Sequence, residues 1–105
     1  MTADARADAV FTALSDPTRR GLIETLSRRG RESVTGLAAG LPISRQAVAK
    51  HLAALRAAEL VSSERVGRTT VYELQPAGLA EATRWIATVG AEWDERLAAL
   101  RGSLG

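Results

Sequence analysis

Leu41-Pro42-Ile43-Ser44 constrains the chain more than any other stretch. A proline pushes the residue before it out of the α region, so Pro42 closes one helix. Serine is a strong N-cap, so Ser44 opens the next, over about 45–58. Val48, Leu52 and Leu55 repeat there at i, i+4 and i+7, which makes one face of that helix core. The opposite face carries Gln46, Ala49, Lys50 and Ala53, with Arg45 and His51 at its edges and no acidic residue. Two short helices joined by so tight a turn make a helix-turn-helix.

The flanking segments extend this frame. A first helix over about 3–14 places Val10, Phe11 and Leu14 on one stripe. Asp16-Pro17 starts a second, with Asp as N-cap and Pro at the first helical position. Leu22, Ile23 and Leu26 face inward, and Arg28-Arg29-Gly30 ends it with cations and a C-cap glycine. Ser33 caps a short third helix, predicted to run as far as Leu41. After Leu60 the period changes: 61–66 and 70–74 read as two strands around Gly67-Arg68, a hairpin. Pro76 opens a last helix to about 101, in which Leu79, Ala82, Ile86, Val89, Trp93, Leu97 and Leu100 step by three or four. Gly90 weakens that helix and predicts a kink or a close helix contact. The expected fold is mainly α with a small β-hairpin: a winged helix-turn-helix of five helices with a two-stranded wing.

At 105 residues the chain is expected to be one domain, 1–105. It has no cysteine, which excludes disulfides, thiolate metal sites and thiol catalysis. It has neither a run of about 18 apolar residues nor a secretory signal pattern, so a cytoplasmic protein with no membrane partner is expected. Charge is distributed unevenly: net −2 over residues 1–16, +5 over 17–75 and −1 over 76–105. A basic centre between mildly acidic ends suits a polyanion at the middle of the chain.

These features converge on double-stranded DNA. A helix in the major groove needs an apolar back and a polar, non-acidic front. Ser44, Arg45, Gln46, Ala49, Lys50 and His51 form that candidate surface, within recognition helix 44–58. Arg pairs bidentately with guanine and Gln with adenine, so Arg45 and Gln46 are the expected base readers. Lys50 is expected on phosphate, and His51 to pack at the helix edge or meet phosphate. In the wing, 61–74, Arg65 and Arg68 are placed to reach the backbone or a narrow minor groove. Arg19 and Arg20 stand in a first helical turn, where the dipole disfavours cations; they are expected to pair with carboxylates such as Asp16, with a reach to phosphate as the alternative.

The chain also resembles a known family. Ala13-Leu14-Ser15-Asp16-Pro17-Thr18-Arg19-Arg20 is similar to the opening of the ArsR-type winged-helix repressors. The likeness continues through Leu37-Ala38, Ile43 to Leu52, Leu55-Arg56 and Leu60-Val61, and ends at Gly67-Arg68 and Val71-Tyr72-Glu73-Leu74. It implies a homodimer built from the terminal helices, on an operator with dyad symmetry. The interface would comprise Val10, Phe11, Leu14, Ile86, Val89, Trp93, Leu97 and Leu100. Trp85 and Trp93 are expected in that interface rather than around a small-molecule pocket. The third-helix stretch Ser33-Val34-Thr35-Gly36-Leu37 lacks the thiols of metal-sensing members, and His51 is the only histidine. The resemblance is therefore to the metal-independent branch, with no metal, no cofactor and no catalytic residues. Which small-molecule effector it answers, if any, is left open. A protein-interaction adaptor with incidental DNA binding is the alternative; RNA is disfavoured because no aromatic residue lies on the binding face.

Overall fold

Three side-chain caps set where the helices begin. In the computed structural model, which describes residues 3–104, Asp16 is extended and accepts the Arg19 N–H, Ser33 accepts that of Gly36, and Ser44 accepts that of Ala47. The elements follow in the order α1 (Ala3–Ala13), α2 (Pro17–Arg29), β1 (Arg31–Ser33), α3 (Val34–Ala38), α4 (Arg45–Ala57), β2 (Val61–Val66), β3 (Thr69–Leu74) and α5 (Pro76–Leu104). Five helices and a hairpin wing make a winged helix-turn-helix.

Two expectations need correction. The sheet has three strands, not two, in the order β1-β3-β2. Arg31 pairs opposite Glu73 and Ser33 opposite Val71, so the edge of β3 left open by the hairpin is covered. The third helix ends at Ala38, well short of Leu41. Gly40, at φ +85°, takes the chain into the left-handed region, and the Leu41 N–H closes the turn on Ala38 O. The turn through Ala39, already extended, and Gly40 therefore ends the helix before proline can.

The core lies where α1, α2, α3 and α4 meet the root of the wing. Leu22, Leu26, Val48, Leu52, Leu55, Leu60 and Val61 are buried there, with Leu37 from α3. The recognition helix is thus fixed through its expected face. The junction after it is tight: Glu59 adopts φ +60°, and its carbonyl accepts the N–H of Gly78 at 3.1 Å. α5 begins against this corner and packs on α1, with Phe11 and Trp85 edge to face at 5.4 Å and Arg6 near Glu81 at 3.7 Å. It then runs unbroken through Gly90, where a Cβ would meet nothing within 4 Å. No close approach within the subunit accounts for that glycine.

Candidate nucleic-acid interface

Burial divides α4 as its periodicity does. Val48, Leu52 and Leu55 have no exposed surface, whereas Arg45, Gln46, Lys50 and Ala53 are exposed and Ala49 is half-buried. Arg45 and Gln46 occupy the first turn of the helix, at the end nearest the turn from α3. The exposed basic and amide groups are therefore held by a rigid apolar back, on a helix with no acid of its own. Ser44 is exposed, but its hydroxyl oxygen already accepts the Ala47 N–H at 3.1 Å. Its first role is to start the helix.

His51 is half-buried at the helix edge and faces α2. Its Nδ1 accepts a hydrogen bond from Arg19 Nε at 3.2 Å, while Asp16 Oδ2 stands 3.9 Å from the same nitrogen. The second distance is too long for a hydrogen bond, and in the first Nδ1 is the acceptor. The Asp16 carboxyl is held below the usual carboxylate range, chiefly by the Arg19 backbone N–H. Desolvation opposes that shift, and the nearby imidazole contributes to it. Arg20 donates to Leu14 O at 2.7 Å, which ties α2 to the end of α1. The Arg19–His51 hydrogen bond joins residues 32 apart and has no local sequence signal.

In the wing, β2 and β3 pair from Val61–Leu74 to Val66–Thr69, leaving Gly67-Arg68 as a two-residue turn. Gly67 takes φ +63°, as the first central position of such hairpin turns demands. Arg68 is exposed at the tip, and Arg65 is exposed but folded back, its Nε donating to Gly67 O at 3.3 Å. Arg31 on β1 reaches across β3 to Glu64 at 2.6 Å, with Glu73 at 3.8 Å. That cation counters two carboxylates close to the wing, from a strand that the sequence reading did not assign.

The residues named for the interface separate. Val10 is fully buried in the subunit's own core, so it is corrected from interface to core. Phe11 and Leu14 pack partly against the same core. Ile86, Val89, Trp93 and Leu100 lie open together with Trp85, the exposures of Ile86 and Trp93 reaching 56%. Leu97 is half-buried. Among the described residues, no three His, Asp or Glu side chains gather into a metal-sized cluster, and no helix is long and apolar enough to cross a membrane.

Comparison with known proteins agrees with this geometry. Residues 14–64 match the model of a helix-turn-helix domain. The HTH-type transcriptional regulator Rv2034 of Mycobacterium tuberculosis is 45% identical over 73 residues, 70% of this chain and 67% of that protein. The transcriptional repressor SdpR of Bacillus subtilis is 35% identical over 78 residues, 73% of this chain and 84% of that one. The chain belongs to the ArsR-type family of transcriptional regulators. An ArsR-like transcriptional regulator from Rhodococcus sp. RHA1 superposes with a TM-score of 0.80 at 47% identity, covering 93% of this chain and 92% of that one. As an ArsR-type regulator the protein binds DNA and regulates transcription, and its relatives are regulators rather than enzymes. The structural likeness extends past residue 64, through the wing and into α5.

Proposed function

We propose that the protein is a cytoplasmic repressor that binds a dyad-symmetric operator as a homodimer, with α4 in the major groove and the wing beside it. The observation that carries this is the first turn of α4, where Arg45 and Gln46 are exposed on a helix whose back is locked into the core. Arg45 and Gln46 read bases, and Ser44, Ala49, Lys50, His51, Arg65 and Arg68 meet the backbone or line the approach. The open stripe of α5 supports a two-fold partner, because apolar patches of that kind are rare on monomers. A two-fold dimer sets its half-sites about one helical turn apart, ~34–36 Å. The function is binding rather than catalysis, and it needs neither metal nor cofactor.

Selection of bound duplexes from a random pool, repeated with EDTA and with added zinc, tests the reading. The expected result is one motif with dyad symmetry, unchanged by either treatment. Retention on DNA without sequence preference would favour the adaptor reading instead. Loss of the motif with EDTA, or release by zinc with the fold intact, would reveal a metal site in these residues.

A further inference from the structure

We propose that Arg19 is a further contact to the DNA backbone and that His51 is the positioning residue that aims it. The proposal rests on the reading of α4 as the recognition helix. Arg19 stands in the first turn of α2, where the helix dipole opposes a cation. Its neighbour Arg20 uses its guanidinium to tie α2 to α1 through Leu14 O. Arg19 makes no such tie: of its five N–H donors only Nε is engaged, on His51 Nδ1. Among the described residues, no acceptor meets the two terminal amino groups. Ala9, Thr12, Ala13, Ala54 and Ala57 line the shallow groove beside the side chain, and none of them is charged.

A guanidinium held at Nε by the recognition helix, with its terminal fork unengaged, suits a phosphate oxygen at the groove wall. The Nδ1 acceptor of His51, 3.2 Å from Arg19 Nε, sets this geometry. A proton on Nδ1 would remove the acceptor for Arg19 and turn the same atom toward Asp16 Oδ2, 3.9 Å away. Among the described residues, the charged groups paired with the ring are Arg19 of α2 and Asp16 at its N-cap. On its own helix Lys50 adjoins it, α3 carries no charged residue, and the Glu64 carboxylate of β2 is held by Arg31. Arg19 is therefore aimed by the Nδ1 acceptor of His51.

Equilibrium DNA binding of Arg19→Gln, His51→Leu and His51→Asn tests this, with helical content checked by circular dichroism. Asn is the rescue, since its amide oxygen can replace Nδ1 as acceptor and does not titrate. Arg19→Gln and His51→Leu should each weaken operator and nonspecific duplex several-fold. Each should make the slope of log affinity against log salt shallower by about 0.9 for every phosphate that Arg19 no longer neutralises. The two changes should not add when combined. His51→Asn should recover most of the affinity and salt slope lost in His51→Leu. The chain has one histidine, so its imidazole nitrogens can be followed without ambiguity by NMR, and neutral Nδ1 should be unprotonated.

Parental affinity in Arg19→Gln, additive losses, or His51→Asn as weak as His51→Leu would overturn the proposal. Gln46→Ala run alongside separates the two readings. If it relaxes base preference while Arg19→Gln changes nothing, α4 stands and this inference fails. If neither matters, the recognition-helix reading fails with it.

Discussion

Asp16 shows how one carboxylate can serve two elements. It caps α2 through the Arg19 N–H at 3.0 Å and faces the imidazole of α4. Its pKa is depressed in the fold relative to the ordinary value of 3.8, so its contribution to stability is present above that value. It is lost as pH falls through the lower, folded value. Denaturant midpoints should therefore decline on the acid side of about pH 4 in the parent, and Asp16→Asn, which still caps, should reduce that decline. Asp16→Ala should lower the midpoint at neutral pH as well. At the DNA face, Arg45→Ala or Gln46→Ala should relax one base position per half-site at about 1–3 kcal/mol. Lys50→Ala should weaken all sequences alike and flatten the salt dependence; competition binding against mutated operators distinguishes the two patterns. The caps Asp16, Ser33 and Ser44 and the outward set of α4 were legible in sequence because their chemistry is local. The aim of Arg19 and the tie from Arg31 to Glu64 were not, since each joins residues more than thirty apart.

At the scale of elements, periodicity identified every helix and both hairpin strands, and failed where an element was too short to show a period. β1 has three residues, and only its pairing with β3 makes it a strand. The end of α3 was misplaced for a different reason: a proline marks where a helix cannot continue, but Gly40 had already turned the chain. The junction of α4 and α5 was equally hidden. A Cβ on Gly78 would lie 2.7 Å from Glu59 O and 2.8 Å from Ala58 O, both backbone atoms that cannot swing aside. Gly78→Ala must therefore push the start of α5 away from the recognition helix and lengthen the bond to Glu59 O. Overpacking of this kind costs about 1–3 kcal/mol, which chemical denaturation should detect as an earlier midpoint with an unchanged slope. Gly90→Ala, in open space on the same helix, should be neutral or slightly stabilising.

The whole molecule is too long for its length in residues. Its radius of gyration is 17.8 Å and its extents are 65 × 30 × 20 Å, whereas a compact chain of about 100 residues measures about 13 Å. α5 accounts for the excess: its 29 residues at about 1.5 Å each outrun the body that its first turns pack against. Beyond Ala82 none of the helix residues whose burial is described is buried, yet Trp85, Ile86, Val89, Trp93 and Leu100 lie open. Within one chain Trp85 meets Phe11 but keeps much of its surface open, and Trp93 more than half; paired with a second copy the helix would bury both in an aromatic-rich seam. Both terminal segments are mildly acidic, which would keep such a seam away from DNA and leave the basic centre to face it. Trp93→Glu places a charge in the proposed seam without touching the core around α4. It should yield monomer by light scattering, retain most of its helical circular dichroism, and lose tight operator binding, because two linked half-sites bind far better than one. Removing residues 90–105 should yield monomer or aggregate with the same loss. A Trp93→Glu protein that stayed dimeric and held the operator as tightly as the parent would move the interface off α5. The open stripe would then need another occupant.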